Sequence, residues 1–316
     1  MSVFLAKRFT TFVATLLGAS IVVFLVLEIL PGDPAMVILG PNADQEAYDA
    51  LALQLGLDRP MSTRYFDWIL GLLSGDLGIS YAYSVPVWDL LVERMALTVP
   101  LALIAMAMSA TAALVLGVYA ASRHNKPGDY GVMAFSQIGI AVPNFWFGIL
   151  LILLFSVTLQ WFSSGGFPGW AEGVWPALKS LLLPAIALAT VQTAILARTT
   201  RSSVLETYRE DYVRTARAKG LNAQQTLWRH VVRNALIPVI TIMGLQFANL
   251  LAGTIVIENV FYLPGLGRLV FQAISNRDLI VVKDVVLILA AMVIVVNFIV
   301  DLAYAMIDPR LKVHDV

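Results

Sequence analysis

The chain has 316 residues, 59% of them hydrophobic and 13% charged, with a mean hydropathy of +0.79. This balance excludes a soluble globular protein, because several stretches run about 20 residues without a charge, the length a helix needs to cross ~30 Å of hydrocarbon. Lys+Arg and Asp+Glu both number 21, so net charge points to no class of partner, and the absence of cysteine excludes disulfides and thiolate metal sites.

In lipid only helices and closed barrels satisfy every backbone polar group. The apolar runs are too long and too uniform for alternating barrel strands, so the fold class is an all-α polytopic membrane protein. Six transmembrane helices are expected, at about 9–30, 97–121, 131–160, 181–198, 235–257 and 284–307, in a single domain spanning 1–316. The first follows MSVFLAKRF and exceeds the apolar core of a signal peptide. PGDP then stands where a small-residue cleavage site would be, so this is read as a retained span. Residues 31–96 form a long outer loop. Within it Tyr65, Trp68, Ile69 and Leu72 recur at helical spacing, and VPVWDLLVERM repeats the pattern before the second span. Both predict short amphipathic helices at the outer membrane surface. Pro143 predicts a kink in the third span, while Pro184 and Pro238 mark the starts of the fourth and fifth.

Orientation follows from the loops. The N-terminus, 122–130, 198–234 and the segment after 308 hold 14 of the 21 cations, against 7 in the other connections. The positive-inside bias places the first set, and so both termini, in the cytoplasm.

Polar residues within the spans each need a reason. Glu28 and Glu258 lie near outer ends and are read as reaching the interface. Asn297 and Asp301 share a face of the last span and are read as structural, bonding to a neighbouring helix. Gln246, Asn249 and Gly253, at i, i+3 and i+7, make a polar, small-residue stripe on the fifth span. The stripe fits either close helix packing or the wall of a water-filled path, and it is the candidate pathway lining. No G-x-x-x-x-G-K-[ST], H-E-x-x-H or G-x-S-x-G occurs, and His124, His230 and His314 are far apart in sequence. Catalytic and metal-ligating residues are therefore expected to be none, and energy from ATP would come from another chain.

The coupling loop, 199–234, is the most patterned cytoplasmic segment. Glu210 and Arg214 stand at i, i+4, Gly220 is a natural helix stop, and Asn222 with Gln225 has the spacing of a capping box. A second helix then places Leu227, Trp228, Val231, Val232 and Ala235 on one face. Helix, glycine corner and helix lead directly into the fifth span, a shape suited to docking a soluble partner.

The segment EDYVRTARAKGLNAQQTLWRHVVRNALIPV resembles the cytoplasmic signature of permease subunits of binding-protein-dependent ABC importers, in the dipeptide/oligopeptide/nickel branch. LPGDP at 30–34, LGLDRPM at 55–61, GDLGIS at 75–80, LLAGTIVIENVFYLPGLGRLV at 250–270, AISNRD at 273–278 and DPRL at 308–311 extend the resemblance over almost the whole chain. It implies a type I importer permease fold in the bacterial inner membrane. It also implies a second homologous permease, two ABC ATPase subunits carrying ATP and Mg, and a periplasmic or lipid-anchored substrate-binding protein. No cofactor is implied in this chain, and no nucleic acid; membrane lipid surrounds it. Arg214, Thr215, Ala216, Arg217, Ala218, Lys219 and Gly220 match the family's EAA loop, which couples to the ATPase. Arg214-Thr215-Ala216 stands where the wider superfamily has Glu-Ala-Ala, and Gly220 keeps its place. Peptides are the expected cargo. Nickel chelate, glutathione, heme or an opine-like conjugate suits the same build, and an ATP-independent channel or scaffold is the reading from another class.

Overall fold

In hydrocarbon a backbone amide has no water to bond, so each apolar run closes its hydrogen bonds within itself and forms a helix. The computed structural model describes residues 2–29, 34–40, 44–54 and 56–307. LPGDP and LGLDRPM lie partly outside these residues, and DPRL and His314 wholly so. Helices α1 (Ser2–Ile29), α2 (Pro34–Leu39), α3 (Gln45–Gln54), α4 (Met61–Ser74) and α5 (Val87–Ser122) come first. They are followed by α6 (Pro127–Ala141), α7 (Asn144–Leu151), α8 (Val174–Thr207), α9 (Asp211–Ala218), α10 (Ala223–Thr226), α11 (Arg233–Val260), α12 (Leu266–Ser275) and α13 (Leu279–Ile307). Among the described residues there is no strand, only the isolated bridge Ile79–Pro86.

Among the described residues, five helical runs are long and apolar enough to cross a membrane: within α1, all of α5, all of α8, Ala223–Val260, and within α13. The pair Pro127–Ala141 and Asn144–Thr158, bent by 100°, makes a sixth if counted as one span.

The prolines behave differently from expectation. Pro184 and Pro238 do not mark helix starts; they lie inside α8 and α11, as Pro100 lies inside α5. Each removes one bond from the ladder, and the packed neighbouring turns keep theirs. Pro143 does more than kink its span. A residue before proline is pushed out of the helical region, and Val142 is extended at φ −85, ψ 120. The helix therefore stops at Ala141 and restarts at Asn144, whose side-chain Oδ1 accepts from the Phe145 N–H at 2.8 Å.

The chain packs as two units. One comprises Met1–Phe9, Val99–Leu263 and Val295–Val316. Its spine is α8, against which α6, α7 and α11 pack. Small residues permit this: Ala185, Ala187, Ala189, Ala194 and Ala197 of α8 are all buried. Gly117 of α5 shows how close the approach is, since a Cβ there would lie 2.5 Å from Thr200 Cβ and 2.7 Å from the Ala197 carbonyl oxygen. Asp301 of α13 pairs with Arg8 of α1 at 3.0 Å, while Asn297 is half-buried.

The other unit comprises Thr10–Thr98 and Pro264–Ile294. Helix α4 turns the expected face, Tyr65, Trp68, Ile69 and Leu72, onto Phe24 of α1 and Leu287 of α13. It is a cover for neighbouring helices, and Phe66, Leu70 and Leu73 form its exposed side. Trp68 Nε1 donates to the buried Asp284 Oδ1 at 2.7 Å, and the Tyr65 and Ser20 hydroxyls are 2.8 Å apart. Glu28 is ion-paired with Arg64. VPVWDLLVERM is not a separate surface helix: apart from its first two residues it forms the opening turns of α5, because nothing between Val87 and Pro100 interrupts the ladder. Glu258, in the first unit, is fully buried and does not reach an interface.

Gly117→Ala should lower the stability of the purified protein by about 1–3 kcal/mol, because a backbone carbonyl stands in the way of the new methyl. Gly131→Ala, inside α6 with open space around it, should not lower thermal stability in detergent and should raise it slightly, by about 0.4–1 kcal/mol.

Candidate functional site

The corner between α8 and α11 is built by successive local rules. Glu210, extended at φ −65, ψ 143, caps α9, with Asp211 in the first turn and Arg217 in the last, each complementing the helix dipole. Arg214 pairs with Asp211 at 3.2 Å, not with Glu210 as the spacing predicted. The cap position takes Glu210 off the helical lattice, which leaves Asp211 as the nearest acid one turn back. At the far end Gly220 adopts φ +91. Its N–H donates to the Arg217 carbonyl at 2.9 Å, and the Leu221 N–H to the Ala216 carbonyl at 3.3 Å. This is a Schellman closure, which a side chain at Gly220 would strain. The capping box follows as expected: Asn222 Oδ1 accepts from Gln225 N at 2.8 Å, and Gln225 Oε1 from Asn222 N at 3.2 Å.

The inner face of α9 is fixed in an apolar cluster. Val213 and Ala216 are buried, and Val213 packs with Val118 and Ala121 of α5, Val204 of α8, and Leu227, Val231, Val232 and Ala235. Trp228 leaves the predicted face and is 55% exposed. Leu227–Val232 is wound as a wide π-turn, which rotates Trp228 away from the positions a 3.6-residue period assigns. Asn234 Nδ2 donates to the Tyr212 hydroxyl at 3.0 Å, Ser203 Oγ to the Ala235 carbonyl at 2.8 Å, and the Arg217 guanidinium lies 5.2 Å from the Tyr208 ring centre. Burial holds the Tyr208 phenol above its ordinary pKa, against the opposing pull of the Arg217 charge. Ala216 points inward; Arg214, Thr215, Arg217, Ala218, Lys219 and Gly220 are exposed and form the outer surface of the corner.

The polar stripe of α11 divides. Gln246 and Asn249 line a cavity of about 320 Å³, and Asn249 Nδ2 donates to Gln246 Oε1 at 3.2 Å. Gly253 serves packing instead: a Cβ there would lie 3.0 Å from Asn144 Nδ2 and 3.1 Å from Leu188 Cδ2. The cavity's other walls are the break at Val142, Pro143 and Asn144, and Gln192 of α8. Gln192 and Asn144 escape a reading by stripes. Their signals are a lone glutamine in ALATVQTAILA and an asparagine directly after a mid-span proline. Among the described residues no group of three or more metal-ligating side chains comes together.

Comparison with protein families matches residues 113–313 to the binding-protein-dependent transport system inner membrane component, and residues 1–102 to the N-terminal model of the same kind of component. The chain belongs to this family of ABC importer permeases. It is a multi-pass inner-membrane transport component. A di/tripeptide transport system permease of Pseudomonas aeruginosa is 39% identical over 330 residues, covering 98% of each chain. An oligopeptide transport system permease of Bacillus subtilis is 36% identical, covering 99% of this chain and all of its own. A dipeptide transport system permease of Escherichia coli is 36% identical over 98% of each chain.

Sequence reasoning also missed how the permease ties its α5–α6 connection to α8. Asp129, in the first turn of α6, is 1% exposed and takes two bonds from Arg201, one from Nε and one from Nη2 at 2.7 Å. The Asn125 N–H donates to it at 3.0 Å and His124 Nδ1 lies at 3.3 Å. The signal in sequence is an aspartate two residues into a proline-started helix. Arg201→Leu should destabilise the permease by about 1–3 kcal/mol, by leaving the carboxylate short of its donors. Adding Asp129→Asn should recover part of that loss in the same thermal-unfolding measurement, since the two residues act as one pair.

Proposed function

We propose that this permease forms half of a translocation pathway for peptide uptake, driven by separate ATPase subunits that seat on the α9 corner. The observation that carries the reading is the corner itself. Its inner face is packed, both of its turns are closed by hydrogen bonds, and its outer face presents Arg214, Thr215, Arg217 and Lys219 to solvent. A segment fixed on one side and open on the other suits a partner's groove. The peptide cargo is supported by relatives named for di/tripeptides, dipeptides and oligopeptides, whose lengths the chain matches end to end.

In this reading a second homologous permease supplies the other half of the pathway, two ATPases bind ATP and Mg, and a binding protein outside delivers the peptide. Both termini face the cytoplasm, on the side where most Lys and Arg lie. Closure of the ATPase pair on ATP moves the seated corner. The motion favours one of two permease conformations only to the extent that contacts differ between them. Transport is alternating access, with the hydrolysis chemistry on the partners.

Arg214→Glu with Arg217→Glu should abolish peptide-stimulated ATP hydrolysis by the reconstituted complex while leaving membrane insertion intact. Gly220→Pro should do the same, because proline cannot adopt φ +91. Full stimulation in either variant would remove the coupling role. A complex that hydrolyses ATP with its binding protein yet accumulates no dipeptide in vesicles would remove the cargo.

A further inference from the structure

The cavity beside the α6–α7 break has a composition that the packing of helices does not require. Irregular backbone within a span is tolerated where it is buried in protein or lines a cavity, and here Val142, Pro143 and Asn144 are themselves a wall. The polar side chains on that wall and the two opposite are all carboxamides: Asn144, Gln192, Gln246 and Asn249. No acid, base or histidine lines the space, and Ile140, Leu188, Val191, Ile195 and Leu250 complete it.

Hydrogen-bond accounting then sets what the cavity lacks. Gln192 is 5% exposed, and its Oε1 has no partner, an acceptor in want of an N–H. Gln246 and Asn249 spend one acceptor and one donor on each other. That leaves the Gln246 Nε2 group as donor and the Asn249 Oδ1 as acceptor. The cavity thus offers neutral donors and neutral acceptors together, the complement of a secondary amide, which carries one N–H and one C=O. We propose that Asn144, Gln192, Gln246 and Asn249 form a transit site for the backbone amides of a passing peptide, with Gln192 Oε1 accepting from a cargo N–H. The proposal rests on the peptide reading above. A site without charge is indifferent to cargo side chains, because every peptide bond presents the same two groups. It also holds cargo weakly, since neutral hydrogen bonds exchanged against water contribute little net affinity, and a transit site must release what it binds.

The test uses the full complex in vesicles, with its binding protein and three tripeptides of matched size: one acidic, one neutral and one basic. Gln192→Met keeps length and apolar volume and removes the acceptor. It should lower uptake of all three alike, by roughly 3- to 10-fold. Gln192→Glu should instead split the series, favouring the basic over the acidic peptide by roughly tenfold relative to the native protein. Assembly is read first by co-purification of the ATPases. Should Gln192→Met not assemble, Asn249→Leu, at the exposed mouth of the cavity, carries the same expectation of a uniform loss. Native uptake in the acceptor-deleted variant, or a charge order unmoved by Gln192→Glu, overturns the transit site. A native complex that takes up neither these tripeptides nor dipeptides of the same three charges overturns the cargo reading instead, so the two failures are distinct.

Discussion

A backbone amide inside hydrocarbon must find its partner within its own helix or in packed protein, and the architecture of this permease follows from that constraint. It carries α5, α8 and α11 straight through Pro100, Pro184 and Pro238, where one lost bond is cheaper than a broken span. At Pro143 the ladder does give way, because Val142 is forced extended. There the chain gathers its neutral polar side chains, and the same residues that end one helix and begin the next wall a cavity. Interruption and chemistry coincide for one reason: freed polar groups need company, and a cavity with carboxamides supplies it.

The corner at Gly220 meets the same demand outside the apolar spans by different means. Two carbonyls at the end of α9 are bonded by the Schellman turn, and two N–H groups at the start of α10 by the capping box. The turn that joins α9 to α10 is thus closed on both sides by hydrogen bonds of its own. The apolar cluster around Val213 fixes its position against α5, α8 and the start of the α11 run. Arg214, Thr215, Arg217 and Lys219 remain exposed on the outer face; the partners of the first three, Asp211 and the Tyr208 ring, belong to the corner itself, which leaves that face open to serve as a contact.

Much of this was legible in the residues. The apolar runs announce the long helices, Gly220 announces the turn, and Asn222 with Gln225 announces the cap, because each is a local rule with a local cause. What periodicity supplies is which residues share a face; what covers the face lies elsewhere in the chain. Tyr65 and Trp68 do share a face, but its cover is Phe24 and Leu287 rather than lipid. Trp228 was misplaced because a π-turn changes the period on which the assignment depended. Glu258 was misplaced because burial is set by helices distant in sequence. The polar stripe held two answers at once, with Gly253 packing and Gln246 and Asn249 lining, and no spacing separates them.

From Ala223 to Val260 the helix runs 38 residues, from the capped corner through the wide turn and past the cavity. At about 1.5 Å per residue, Gln246 stands about 35 Å from the helix's first residue. Over that arm a tilt of about 5° at the foot carries the cavity's glutamine and asparagine about 3 Å, the length of one hydrogen bond. The length of the helix is in itself mechanical gearing: by geometry alone, a small rotation at the foot becomes a displacement at the cavity as long as a hydrogen bond. The wide turn at Leu227–Val232 lies close to the pivot, where a bend of given angle displaces the far part of the helix most.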